Sequence, residues 1–139
     1  MNSVSMQDVR RVLDPDEPDY AAMARLGTDS LPHLRTLVQG DDPMLASKSA
    51  YAASLLEGDR GQDVILAAAH SDDPVLRVAA AGAAANLPVA SAADVLEGLA
   101  ADGDAGVRKV ALSSVPPDVP DELVSRLRRA ATEAGNQGS

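Results

Sequence analysis

The amino-acid sequence predicts an all-α protein built as a stack of helical hairpins. Three observations carry that expectation. An acidic turn recurs at fixed spacing, the apolar residues around it follow the helical period, and no segment shows the alternation of a strand. The turn is Asp42-Pro43, then Asp73-Pro74, then Asp104-Ala105, each 31 residues after the last. Residue classes match on both sides of it. Leu45, Leu76 and Val107 align downstream, as do Ser49, Ala80 and Ala111, while Leu34, Ile65 and Leu96 align upstream. A period of this length marks units that each bury an apolar face against the next.

Each period reads as two helices. The first carries Leu31, Leu34, Leu37 and Val38, then Val64, Ile65 and Ala68, then Val95, Leu96 and Leu99. Asp63 and Asp94 are expected in its first turns, where a carboxylate favours the helix dipole. The acidic turn follows, with Asp42, Asp73 and Asp104 as a structural ladder of N-caps, and with proline at the first helical position in two of the three. The second helix is alanine-rich and ends near Gly58, near Pro88 and before Pro116-Pro117.

The units so defined span residues 5–27, 30–58, 61–88 and 91–116, followed by a terminal helix at 120–134. The first unit is short, because its turn at Pro18 lies only 25 residues before Pro43. Residues 1–134 make a single domain, and the tail at 135–139, "GNQGS", is expected to be disordered. Leu123, Val124 and Leu127 share one face of the terminal helix, with Arg126, Arg128, Arg129 and Glu133 on its outer side, as a polar cap requires.

Composition narrows the function. The chain of 139 residues is 45% hydrophobic yet holds two tyrosines and neither Phe nor Trp, so the core must be aliphatic and closely spaced. With no cysteine, disulfides, thiolate metal sites and thiol nucleophiles are excluded, which fits a cytoplasmic protein. No apolar run approaches the about 18 residues needed to span a bilayer, and the N-terminus lacks the basic-then-apolar pattern of a secretory signal. A net charge of −9 argues against nucleic acid as a partner.

"DDPVLRVAAAGAAANL" at 72–87 and "DGDAGVRKVALSSV" at 102–115 resemble the turn and second helix of HEAT repeats, as found in short bacterial repeat proteins. The shared pattern is an acidic turn, an aliphatic residue followed by arginine, and then paired alanines. Leu76-Arg77 and Val107-Arg108 carry the pair, whereas Leu45-Ala46 lacks the arginine. The resemblance covers about residues 5–134. It implies a right-handed α-solenoid of about four HEAT-like hairpins plus a C-terminal capping helix. In such a stack the alanines are packing spacers, and Gly82 is expected at a close contact between helices.

No constellation supports catalysis. His33 and His70 stand at non-equivalent positions on first helices, without a His-Glu pair or HExxH spacing, so no metal is expected. Some HEAT-like enzymes bind iron through His-Glu pairs, which this sequence lacks. "GDRG" and "DGDAG" match neither a phosphate loop nor a dinucleotide fingerprint, and the second lacks the later acidic ligands of a calcium loop. No nucleophile elbow surrounds any serine. The expectation is no enzyme and no cofactor.

Surface use is the better question. Counting from the first aliphatic residue of each second helix, offsets 0, 3, 4, 7 and 8 face inward. The intervening offsets then form a concave face. Its columns are Ala46, Arg77, Arg108; Ser47, Val78, Lys109; Ala50, Ala81, Leu112; and Tyr51, Gly82, Ser113. The predicted binding residues are Ser47, Tyr51, Arg77, Val78, Arg108, Lys109 and Leu112. A locally basic, apolar groove of this kind suits an acidic or amphipathic helical segment, which makes the protein a non-catalytic adaptor, monomeric alone, that binds a protein or peptide. HEAT-like repeats also occur in bilin lyases and in alkylpurine DNA glycosylases, so the alternative is an enzyme subunit or accessory factor. The glycosylases present a basic face with aromatic residues, and bilin handling calls for aromatic or nucleophilic groups. This chain is short of both.

Overall fold

The computed structural model describes residues 4–56, 58 and 60–137. They are all-helical, with no strand among them. The helices are α1 (Met6–Leu13), α2 (Tyr20–Arg25), α3 (Leu31–Val38), α4 (Pro43–Ser54), α5 (Gln62–Ala69), α6 (Pro74–Ala84), α7 (Val89–Ala100), α8 (Ala105–Ser113) and α9 (Asp121–Gln137), with a single 3-10 turn at Gly27–Ser30. None is long and apolar enough to cross a membrane.

The acidic ladder sets where the second helices start. Asp42, Asp73 and Asp104 are each extended N-caps. The Asp42 carboxylate accepts from the amides of Met44 and Leu45, that of Asp73 from Val75, and that of Asp104 from Val107. Each bond satisfies a donor that the first turn leaves without an intrahelical partner. Asp19 does the same for α2 through the amide of Ala22, and Ser5 and Asp8 form a reciprocal capping box on α1. Hydrogen bonding by Ser5, its backbone amide foremost, holds the Asp8 carboxyl below its ordinary range. The first unit is abbreviated as expected, with six residues in α2 against twelve in α4.

Packing follows the period. Each odd helix pairs with the next even one, as α3 with α4, α5 with α6 and α7 with α8. The second helices α4, α6 and α8 touch in succession, as do α3, α5 and α7, and α9 closes on α7 and α8. Leu34, Ile65 and Leu96, the aligned residues of the first helices, are all buried, and so are Leu45, Leu76 and Val107 on the second helices. Two glycines shape the connections. Gly58 takes a left-handed φ of 64° in the loop before α5, which only glycine adopts without strain. At Gly61 the backbone lies against α4, where any Cβ would run into the Ala53 carbonyl oxygen.

Three expectations are corrected. Asp94 is not in a first turn, because α7 starts earlier, at Val89, than the register places it; its carboxylate instead accepts from Gln62 Nε2 at 3.3 Å, joining α7 to α5. The helix expected to stop at 134 runs on to Gln137, because its last turn packs on α8, with the Arg108 guanidinium 3.5 Å from where a Gly135 Cβ would stand. The rest of the expected disordered tail, residues 138 and 139, lies outside the described residues. Gly82 marks no close approach: it is exposed, and a Cβ there meets nothing within 4 Å.

These placements make two sets of outcomes measurable by denaturant melts. Asp42→Ala, Asp73→Ala and Asp104→Ala each cost about 1 kcal/mol, and the costs add because the caps stand in different layers. Gly82→Ala raises stability by about 0.5–1 kcal/mol through helix propensity alone, whereas Gly61→Ala lowers it by pushing α5 off α4. Equal effects at the two glycines would contradict the packing.

Candidate functional site

A helix flanked by two neighbours in its own layer, and backed by a third in the other layer, has little surface left. On α4 the buried residues are Leu45, Ala46, Ser49, Ala50, Ala52, Ala53 and Ser54. On α6 they are Leu76, Ala80, Ala81, Ala83 and Ala84. Two of the columns expected on an open groove are therefore largely closed: Ala46, Ala50 and Ala81 are fully buried. Leu112, the third member of the Ala50 column, is half-buried on α8. The physical reason is that lateral neighbours cover offset 5 on α4 and α6 and offset 1 on α4, whereas both offsets stay half-buried on α8.

What stays accessible on α4 and α6 is a narrow stripe, continued on the more open α8, which buries only Val107 and Ala111. It holds Met44, Ser47 and Tyr51 on α4, Val75, Val78 and Gly82 on α6, and Lys109 and Ser113 on α8. Among the described residues the exposed large apolar side chains are Met44 at 66%, Val75 at 60% and Tyr51 at 39%, and all three belong to this stripe. Tyr51 meets Tyr20 of α2 edge to face, with ring centroids 4.7 Å apart, which extends the stripe to the first unit. Burial, and then the neighbouring Tyr51, push the Tyr20 phenol above its ordinary range. The Ser47 hydroxyl oxygen is buried without a hydrogen-bond partner. Met44 and Val75 were legible in principle: both sit one residue before the first aliphatic residue of their helix, off the inward set.

The arginines expected to line the groove are engaged at its edge. Arg77 Nε donates to Asp102 Oδ2 at 2.8 Å and Nη2 to Oδ1 at 3.3 Å, while Nη1 donates to the Ser71 carbonyl at 2.9 Å. The pair is well buried, its side chains 19% and 12% exposed. Arg108 repeats half of this one unit later, donating from Nη1 to the carbonyls of Asp102 at 2.8 Å and Gly103 at 3.1 Å. Arg77 therefore joins its own turn to the next through Asp102. Asp102 escaped the sequence reading, although the register offers a signal. It aligns with Ser71, and both place a side-chain oxygen on the amide of the capping aspartate two residues on. At the opposite end of the second helices Asn86 Nδ2 donates to Ser54 Oγ at 3.1 Å, fastening α6 to α4.

His33 Nε2 lies 2.7 Å from the Val4 carbonyl oxygen and secures the N-terminal segment to α3. His70 is the C-cap residue of α5 rather than part of the helix. No group of three or more metal-ligating side chains assembles among the described residues. A cleft between α3 and α5, in the other layer, is lined by Leu31, Pro32, Arg35, Arg60, Asp63 and Val64, with charges of both signs at its rim and no nucleophile. The chain matches no protein-family model, no curated protein and no solved structure with which it was compared.

The Arg77–Asp102 bond makes a quantitative prediction. Arg77→Ala and Asp102→Ala each lower stability by about 2 kcal/mol, since each leaves a buried polar partner unsatisfied. The double variant falls short of the sum by about 1 kcal/mol. A double-mutant cycle from urea melts reads this coupling, and strict additivity would mean that the two side chains act independently.

Proposed function

We propose that this chain is a HEAT-like, right-handed α-solenoid that acts as a non-catalytic interaction scaffold, binding a protein or peptide across the stripe formed by its second helices. The observation that carries the reading is the gathering of the exposed large apolar side chains, Met44, Val75 and Tyr51, on one face. Scattered exposed apolar residues are ordinary, whereas a contiguous group marks a binding surface. Gly82 adds to this. It costs helix propensity in the middle of α6, and a Cβ there would meet nothing within 4 Å among the described residues, so the stripe has room at its centre for a bound segment. The stack of short units sharing one repeated surface is the architecture on which extended partners are bound.

The reading places binding on α4 and α6 and assigns Arg77 and Arg108 to holding the turns. Met44→Asp/Val75→Asp is the variant that tests it. Both side chains are largely exposed, so the thermal midpoint is expected to stay within the range of ordinary surface changes. In affinity capture from an extract of the native cells, the unaltered chain retains a partner that the variant loses. Retention of the same proteins by both would place binding elsewhere.

A further inference from the structure

The stripe has one charged rim. Met44 and Val75 are the second residues of α4 and α6, so each stands within a turn of the acidic segment that precedes its helix. The remaining acidic turns run along the same edge. Lys48 of α4 donates to the carbonyls of Asp14 and Pro15, holding the loop before α2 beside it, and Arg77 of α6 holds Asp102. On this edge Asp16, Glu17, Asp41 and Asp72 are exposed and enter no ion pair among the described residues. Of the cations near them, Lys48, Arg77 and Arg108 donate to backbone carbonyls or to Asp102, while Lys109 is exposed on the α8 part of the stripe. The edge therefore offers unpaired negative charge beside exposed hydrocarbon.

Spacing bears on the shape of the occupant. Equivalent residues of packed helices such as Met44 and Val75 stand one interhelix distance apart, about 8–10 Å. Residues i and i+7 of an α-helix repeat every ~10.5 Å on one face. Residues i and i+3 of a strand, at ~10 Å, fall on opposite faces. A helix lying across α4 and α6 thus brings successive apolar residues over Met44 and Val75, as a β-strand does not.

From these observations we infer that the stripe takes the apolar face of a cationic amphipathic helix from a partner protein, with its lysines or arginines toward the acidic turns. This deepens the scaffold reading and rests on it. A second copy of the chain is a poor occupant, because it brings a net charge of −9 and the same acidic rim. The chain's own arginine-bearing helix, α9, already buries its apolar residue Leu127 within the fold. Phosphate-bearing surfaces are repelled by the same carboxylates.

The test uses the full chain and three labelled synthetic helices of about 18 residues, long enough to cross the second helices. One carries a leucine stripe flanked by lysines, the second the same stripe flanked by glutamates, and the third the lysines with serine in place of leucine. Fluorescence anisotropy is expected to show binding of the first alone, weakening by about tenfold from low to high salt. Asp41→Asn/Asp72→Asn, which leaves the capping aspartates intact, reduces that affinity, and Met44→Ser/Val75→Ser abolishes it, with circular dichroism confirming that both variants are folded. Equal or tighter binding of the glutamate-flanked helix overturns the charge assignment and leaves the scaffold reading standing. Equal binding of the serine helix overturns the apolar contact. Sedimentation showing a dimer that Met44→Ser/Val75→Ser dissolves would make a second copy the occupant. If no helix binds at all, the cationic-helix proposal fails, and the scaffold reading is decided separately by capture with Met44→Asp/Val75→Asp.

Discussion

Second helices separated by little more than methyl groups are the constraint on which this molecule depends. The buried residues of α6 are one leucine and four alanines, and α4 faces it with alanine, serine and a single leucine. Helices lined in this way approach at the short end of the interhelix range. Each alanine removes little apolar area from water, so cohesion comes from the number of such contacts and from dense packing rather than from any anchor. Bulkier side chains recur at the repeat spacing on the first helices, as Leu34, Ile65 and Leu96, and once on each second helix, as Leu45, Leu76 and Val107. A core without phenylalanine or tryptophan follows, since a large ring between α4 and α6 would force them apart.

Close approach has an electrostatic consequence. It draws the acidic turns of neighbouring units into one edge, where uncompensated carboxylates and unbonded carbonyls would oppose the stack. Three cations answer that problem by reaching sideways or back into the turns: Lys48 to the loop before α2, Arg77 to Ser71 and Asp102, and Arg108 to Asp102 and Gly103. Their charge is used to hold the turns in register. The exposed carboxylates that remain give the edge its sign, and the stripe beside it is left with hydrocarbon on α4 and α6 and with Lys109 on α8.

The proposed binding role follows from the same economy of surface. A helix buried on three sides exposes a stripe one residue wide, and such a stripe on a lone helix would be too narrow to bind anything. Three helices side by side turn narrow stripes into a face. Fold alone does not select a partner, so the argument for one lies in the side chains placed on that face and along its rim.

The sequence by itself determined the helices and their order. Spacing of the acidic turns located the starts of α4, α6 and α8 and their capping aspartates, because capping and helical periodicity are local effects written in neighbouring residues. It also identified the inward leucines and valines of both helices, and it placed Ser47, Tyr51, Val78 and Lys109 on the accessible stripe. Tertiary structure alone decided which further faces are covered. Ala46, Ala50 and Ala81 look like surface to a helical wheel, which knows one partner direction and not the lateral neighbours. Arg77 reads as a free groove cation until the next unit brings Asp102 to its guanidinium, 25 residues away along the chain. Gly82 reads as a packing contact until the face it lies on proves open. Each difference concerns what stands beside a residue in space, and helical periodicity carries no information about that.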